Sequence, residues 1–355
     1  MENALEQLIQ RYDHSDMRAA IRGCPGQITA ILDRYSSWTP RSPDQDFEQV
    51  LFIGMGGSAI GGDLVRVWMD RLATRPLIVL RGYGIPNWVG ERTLVLASSY
   101  SGNTEETLAA TGQAAERGCR VVALTSGGRL ASLAESSGWD RLEIPGGMQP
   151  RAAIGYLVAA TCAALVSLKL LPRSVLDDLA AGAELMSTDG SLWADHEHQD
   201  NPNPAIAKRL LGVLPVIYGS MGTTETLALR LRGQLAENGK ILATQQLLPE
   251  LNHNEIVGLN ERLKDQGDPQ LVWLVDREDH ARVGLRRRLT SELLGIGGRQ
   301  PGEIVLEGRG ETLVQRNLTL LHQVDWISYY AALLGGKDPS EIEILIRLKQ
   351  EMSQN

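Results

Sequence analysis

Two loops rich in glycine and hydroxyl side chains have the composition of a phosphate-binding site. Residues 54–62 and residues 98–104 each follow a short apolar run and precede a helix-like stretch. Backbone N–H groups of glycine loops approach an anion closely, and the N-terminus of the following helix adds partial positive charge. The hydroxyl side chains expected to converge on one phosphate are Ser58, Ser99, Ser101 and Thr104.

The first loop also fits the dinucleotide-binding pattern loosely, through Gly54, Gly56 and Ala59. That interpretation requires an acidic residue at the end of the second strand, where this sequence has Arg81, which at most would contact a 2′-phosphate. No lysine follows the glycines, which argues against a nucleoside triphosphate. The loops therefore favour the monophosphate of a small molecule, with a dinucleotide or plain turns as the alternatives.

Two segments in the second half of the chain carry side chains suited to proton transfer. Glu237 stands at the end of a predicted helix, and residues 249–255 form a polar cluster around His253. Imidazole titrates near neutral pH and can pass protons, whereas a carboxylate can remove a proton from carbon. Glu237 and His253 are therefore candidates for acid–base catalysis, and a surface carboxylate is the alternative for Glu237.

Two series of short apolar runs predict the strands that position these residues. The runs are residues 50–53, 77–80, 94–97 and 121–124, then residues 213–218, 241–243, 271–275 and 303–306. Continuous rather than alternating apolar residues are typical of parallel strands buried on both faces and covered by helices. The predicted fold class is α/β, with two doubly wound, flavodoxin-like parallel-sheet domains and additional N-terminal and C-terminal helices.

A length of 355 residues also predicts about two domains. We expect an N-terminal helical segment at 1–45, a first domain with both phosphate-binding loops at 46–175, a helical linker at 176–205, and a second domain with the C-terminal helices at 206–355. Residues 277–315 are rich in arginine, glycine and glutamate and are expected to form a long exposed helix and a loop.

The overall composition excludes several classes of partner. A net charge of -8 argues against nucleic acid, because a phosphate backbone requires a basic face. No apolar stretch is long enough for a membrane span, and the N-terminus lacks the pattern of a signal peptide. The three cysteines form no CxxC pair, so we expect reduced, buried thiols and a cytoplasmic location.

These motifs together resemble a known family. Residues 56–58 and 99–107 resemble the phosphosugar-binding loops of the sugar isomerase (SIS) domain. A more specific similarity, spanning about residues 45 to 350, is to the bifunctional phosphoglucose/phosphomannose isomerases, and the segments that carry it are residues 150–157, 237–240, 249–255, 338–339 and 348–349.

The resemblance implies a reaction and a role for each site residue. The family interconverts glucose 6-phosphate and mannose 6-phosphate with fructose 6-phosphate, in carbohydrate metabolism (glycolysis and gluconeogenesis), with no metal and no redox cofactor. By resemblance, Gly57, Ser58, Ser99, Ser101 and Thr104 hold the phosphate, Glu237 moves the proton between C1 and C2, Arg151 stabilises the enediolate, and His253 and Lys349 open the sugar ring. The family's histidine comes from the other subunit, which implies a homodimer. The role of Ser340 stays open.

Other classes of function fit the residues less well. A transcriptional sensor with an SIS domain needs a helix-turn-helix and a basic face, and an amidotransferase-type synthase needs an N-terminal cysteine where this chain has Glu2. A catalytically silent phosphosugar-binding protein has no need for Glu237, His253 and Lys349 together. An isomerase specific for only one of the two sugars is the nearest alternative.

Overall fold

A computed structural model describes residues 2–41, 46–265, 269–295 and 302–354. The chain divides into two compact units, each discontinuous in sequence. One unit, called here the five-stranded unit, comprises Arg22–Thr188 and Gly308–Thr319. The other, called the four-stranded unit, comprises Met1–Ile21, Asp189–Glu307 and Leu320–Asn355. The predicted domain limits of 46–175 and 206–355 remain a prediction.

The five-stranded unit is built on a wholly parallel sheet. Its strands are β1 (Gln49–Gly54), β2 (Leu77–Leu80), β3 (Thr93–Ser98), β4 (Arg120–Thr125) and β5 (Asp140–Glu143), in the order β2-β1-β3-β4-β5. Residues 50–53 of β1 are each at most 1% exposed. Leu51 packs into a cluster with Val95, while Phe52 packs against Gly62 on the other face. Burial on both faces explains the continuous apolar runs.

The four-stranded unit repeats this plan with a second parallel sheet. Its strands are β6 (Pro215–Ser220), β7 (Thr244–Leu248), β8 (Gln270–Val275) and β9 (Ile304–Glu307), in the order β7-β6-β8-β9. Tyr218 and Trp273 pack against each other at the centre of its core. The prediction of two parallel-sheet α/β domains is confirmed.

The other regular elements of both units are helices. They are α1 (Glu2–Tyr12), α2 (Met17–Arg22), α3 (Cys24–Tyr35), α4 (Gly56–Leu72), α5 (Glu105–Glu116), α6 (Gly128–Ser136), α7 (Ile154–Ser167), α8 (Ser174–Ala194), α9 (Asn203–Arg209), α10 (Glu225–Glu237), α11 (Glu255–Asp265), α12 (Ala281–Leu293), α13 (Leu313–Leu334) and α14 (Glu343–Ser353). Short 3₁₀ helices cover Pro150–Ala152 and Glu250–His253. None of the helices in the described ranges is both long and apolar enough to cross a bilayer.

The prediction of a strand at 241–243 is wrong, because β7 begins at Thr244. The Ile241 N–H instead donates to the Leu235 carbonyl and closes the end of α10, and Leu242 is 82% exposed. Among the described strands, β7 pairs only with β6, at the edge of the sheet, so it can contain polar glutamines. A strand with polar residues does not show the continuous apolar run on which the prediction depended.

Two other sequence expectations have clear outcomes. Within 277–315 the structure has α12, a helix of 13 residues, followed by β9, and residues 296–301 lie outside the described residues. The three cysteines form no disulfide and are buried, as predicted.

Candidate active site

The two predicted phosphate-binding loops leave the same edge of the five-stranded sheet. Gly54 at the end of β1 is in register with Ser98 at the end of β3. Ser58, in the first turn of α4, is buried, and its Oγ accepts a hydrogen bond from the Tyr100 N–H at 3.3 Å. The first loop is therefore in direct contact with the second, and the N-termini of α4 and α5 open beside each other.

Hydroxyl groups of the second loop are linked to one another. Ser99 Oγ lies 2.9 Å from Thr104 Oγ1 and accepts from the Thr104 N–H at 3.4 Å. Thr104 occupies the N-cap position of α5, but its side chain contacts Ser99 rather than the backbone of the helix. Ser101 is on the exposed side of the same loop, where its Oγ accepts from the Asn103 N–H at 3.3 Å.

A third loop, residues 126–128 after β4, supports the second one and was missed by sequence reasoning. Ser126 Oγ donates to the Tyr100 carbonyl at 2.6 Å. Gly102 adopts a φ of +70°, and a Cβ there would lie 1.8 Å from the Gly127 carbonyl oxygen. Only glycine fits at 102. A serine and two glycines after the fourth strand were the available signal.

Arg151 is fixed against the first loop. It lies in the 3₁₀ helix Pro150–Ala152 and is 3% exposed. The backbone of Gly57 approaches it so closely that a Cβ on Gly57 would be 3.1 Å from Arg151 Cα. Gln27 holds this segment from the other side, donating to the Ala152 carbonyl at 2.7 Å. Gly57, Ser58, Ser99, Thr104 and Arg151 are thus assembled at one edge of the sheet, which we call the phosphate cradle.

Tyr100 ties the cradle to the segment that leads into Arg151. Its hydroxyl donates to the Pro145 carbonyl at 2.9 Å and accepts from the Met148 N–H at 3.1 Å. Burial raises the pKa of Tyr100 above its ordinary value of 10.0, so the hydroxyl keeps the proton that it donates.

Arg81 is paired with a carboxylate and is not one of the cradle residues. Its guanidinium pairs with both carboxylate oxygens of Asp63 on α4. A paired arginine of this kind does not favour the dinucleotide interpretation, in which Arg81 would contact a 2′-phosphate.

The four-stranded unit has an analogous loop whose donors are occupied by the chain's own carboxylates. Ser220 Oγ donates to Asp279 Oδ2 at 3.0 Å, and Thr223 Oγ1 donates to the other oxygen of Asp279. The Gly222 N–H donates to Glu225. Because a phosphate would have to displace these carboxylates, the loop at 219–224 is not a second phosphate cradle.

Glu237 is the last residue of α10, and a ladder of buried polar contacts holds this helix. Arg230 forms two hydrogen bonds with Asp325 on α13, at 2.8 and 2.6 Å, and Gln234 donates to the same carboxylate at 2.9 Å. One turn later, Asn238 donates to Ser328 Oγ at 3.0 Å. This ladder was not predicted from the sequence, although its donors recur at intervals of four residues. The end of α10 is therefore fixed in register on α13.

His253 is presented on an exposed turn whose two flanks are anchored. Asn252 Nδ2 donates to Thr290 Oγ1 at 2.8 Å, and Glu255 accepts from the buried Tyr218 hydroxyl at 2.8 Å. Burial, followed by the Glu255 charge, raises the pKa of Tyr218, so this hydroxyl stays a donor. Both flanks of the turn are thus hydrogen-bonded to neighbouring elements, and His253 itself is exposed.

Lys349 lies on α14, a helix with an unusually exposed surface. Its apolar neighbours Ile344, Ile346 and Leu348 are 75%, 51% and 55% exposed. Glu237, His253 and Lys349 thus lie on three separate elements of the four-stranded unit: the end of α10, the 3₁₀ helix after β7, and α14.

The fold and the hydroxyl-lined loops define a protein with two SIS domains. The SIS domain model matches residues 45–170, and the model of the bacterial phospho-glucose isomerase C-terminal SIS domain matches residues 199–352. Two solved structures share the fold. The C-terminal domain of glucosamine-fructose-6-phosphate aminotransferase from Francisella tularensis has a TM-score of 0.70 at 17% identity, over 91% of this chain and 97% of that one. Tagatose-6-phosphate ketose/aldose isomerase from Escherichia coli has a TM-score of 0.65 at 14% identity, over 91% and 95%.

Similar proteins with curated names identify a more specific family within this class. A bifunctional phosphoglucose/phosphomannose isomerase of Caldicellulosiruptor bescii is 38% identical over 95% of this chain and 99% of its own length. One from Aquifex aeolicus is 34% identical over 87% and 92%. The chain belongs to the bifunctional phosphoglucose/phosphomannose isomerase family. This membership confirms the sequence resemblance and the prediction of an enzyme of the phosphosugar isomerase class.

Proposed function

We propose that this chain interconverts glucose 6-phosphate and mannose 6-phosphate with fructose 6-phosphate through an enediolate. The observation that carries the proposal is the phosphate cradle, in which neutral hydroxyls and two helix N-termini adjoin the buried Arg151. Hydroxyl donors and helix N-termini suit a phosphate monoester. Phosphate binding remote from C1 and C2 provides anchoring energy for the chemical step.

The proposed proton transfer uses one base and one cation. Glu237 removes the proton from C2 of the aldose, or from C1 of the ketose, and returns it to the neighbouring carbon. Arg151 stabilises the negative charge that develops on the enediolate oxygens. If the planar enediolate accepts its proton on either face of C2, both aldoses form from one intermediate, which accounts for two substrates.

Ring opening is assigned to His253 and Lys349, which exchange protons with the ring oxygen and O1. We further propose that the chain is a cytoplasmic homodimer in which His253 completes the partner's site. The exposed position of His253 on a turn with hydrogen-bonded flanks supports this assignment. So do the exposed apolar side chains of α14, since surfaces of this kind mark protein contacts.

The test is a coupled assay of the purified protein in excess chelator, with glucose 6-phosphate and mannose 6-phosphate supplied separately. The proposal predicts fructose 6-phosphate from both. Turnover of one sugar would narrow the substrate range to a single-sugar isomerase. No turnover of either, with phosphosugar still raising the thermal midpoint, would replace the proposal with that of a silent phosphosugar-binding protein.

A further inference from the structure

Lys240 lies three residues beyond the end of α10 and binds back onto it. Its Nζ donates to the Glu237 carbonyl at 3.0 Å and to the Asn238 carbonyl at 3.3 Å. Carbonyls of the last helical turn lack intrahelical partners, and a cation near a helix C-terminus is favoured by the helix dipole. Lys240 thereby holds the backbone of the residue proposed as the base.

The same ammonium also reaches the segment that leads to α14. It donates to the carbonyl of Asp338. The Asp338 side chain accepts from the Ser340 N–H at 2.7 Å, so this turn is itself ordered, and α14 begins at Glu343. One side chain therefore joins the helix end that carries Glu237 to the turn from which the helix of Lys349 starts.

Lys240 has a backbone conformation that residues with a side chain rarely adopt. Lys240 has a φ of +53°, a left-handed conformation that favours glycine. The preceding Gly239 is needed for a different reason, because a Cβ there would lie 2.9 Å from the Leu235 carbonyl oxygen. A glycine at 240 would relieve the backbone, yet the chain has a lysine.

We propose that Lys240 is a positioning residue, a clasp that holds Glu237 and the start of the Lys349 helix in a fixed relation. This inference rests on the proposed function, because it assigns Lys240 to the same reaction. Lys240 acts through the two helices rather than on the sugar, so its loss should lower kcat and leave phosphosugar binding intact. A helix cap with no catalytic consequence is the competing explanation.

Lys240→Gly separates these explanations, because it removes the ammonium while relieving the left-handed backbone. We expect an unchanged or higher thermal midpoint, a kcat lowered about tenfold or more, and a KM within about twofold of the parent, since small misplacement of catalytic groups costs rate. Lys240→Met, which also removes the ammonium, should show the same loss of kcat. Parental kcat in Lys240→Gly would overturn the proposal.

Hydrogen–deuterium exchange provides a readout that does not depend on activity. In Lys240→Met, amides at 235–241 and at 337–349 should both exchange faster, whereas those of β1 and β3 should not change. Exchange unchanged in either segment would refute the clasp. If the parent protein turns over neither sugar, the proposed function fails, and this comparison alone decides whether the clasp exists.

Discussion

Gly57 lies directly against the backbone of Arg151: a Cβ on Gly57 would be 3.1 Å from Arg151 Cα and 3.2 Å from its nitrogen. These neighbours are backbone atoms, so they cannot rotate away as the end of a side chain would. The absence of a side chain at 57 is what allows the backbone of Arg151 to lie against the first loop. The approach of these two cradle segments is therefore set by a glycine.

Gly57→Ala should push the backbone of Arg151 away from the first loop by a few tenths of an ångström. We expect kcat/KM to fall by roughly tenfold, because the rate is sensitive to small displacements of catalytic groups. Steady-state kinetics with fructose 6-phosphate measures the effect. Gly112→Ala is the matched control, since a Cβ at 112 would meet nothing within 4 Å. Equal kinetics for the two variants would show that the close approach has no catalytic importance.

Ser99→Ala removes a hydroxyl from the centre of the cradle, where it contacts Thr104 at 2.9 Å. Loss of one hydrogen bond to a charged phosphate should weaken phosphosugar binding by about 1.5–3 kcal/mol, raising KM roughly tenfold or more. Isothermal titration with fructose 6-phosphate measures it. Ser136→Ala, at an exposed serine at the end of α6, is the control and should bind like the parent. Unchanged affinity in Ser99→Ala would remove Ser99 from the site.

Glu237→Gln tests the base. The amide keeps the size of the side chain but cannot accept the proton from carbon, so kcat should fall by about 10²–10⁴-fold. Binding of fructose 6-phosphate should stay close to that of the parent, because the cradle is unaltered. Turnover at the parental rate would show that another group is the base.

Asp325→Asn should destabilise the four-stranded unit. Asp325 is 3% exposed and accepts from Arg230 and Gln234, so the substitution removes a negative charge that faces a buried guanidinium. Breaking a buried ion pair from one side costs about 3–5 kcal/mol of unfolding free energy. Asp70→Asn breaks the exposed pair with Arg66 and should cost less than about 1 kcal/mol. Urea unfolding compares them, and similar losses would contradict the ladder's importance.

Alkaline pH should destabilise the protein through its buried tyrosines. Burial raises the pKa of Tyr330 from 10.0 to about 12, and its hydroxyl donates to the Trp193 carbonyl at 2.6 Å. As pH rises above 10 the unfolded state loses this proton first, so stability falls until the folded group also ionises near pH 12. Tyr330→Phe should reduce the slope of unfolding free energy by about 1.4 kcal/mol per pH unit in this window. An unchanged slope would contradict the shifted pKa.

Local patterns were enough to predict a parallel sheet in each unit and the loops that follow β1 and β3, but they missed β5, whose residues alternate between buried and exposed. Strands such as 50–53 are continuous apolar runs, and the loops after them contain their own donors, so residues close in sequence predict the contact of Ser99 with Thr104. The edge strand β7 was misplaced because polar residues at an edge leave no hydrophobic pattern. The third loop at 126–128 carried a similar composition but no motif strong enough to assign it.

Contacts between residues distant in sequence could not be predicted. Arg230 and Asp325 are 95 residues apart, and either one alone resembles an ordinary surface charge. The role of Lys240 depends in the same way on Asp338, whose backbone carbonyl has no sequence signature. Pairings of this kind form only when separate elements pack together, because the two partners lie on different elements.

The central claim, proton transfer through an enediolate shared by two aldoses, is tested most directly by following fructose 6-phosphate with the parent protein in D₂O by NMR. We expect glucose 6-phosphate and mannose 6-phosphate both to appear, with deuterium at C2 in the turnovers in which the base exchanges its proton with solvent before returning it. Formation of neither aldose, or of only one of them, would contradict the claim.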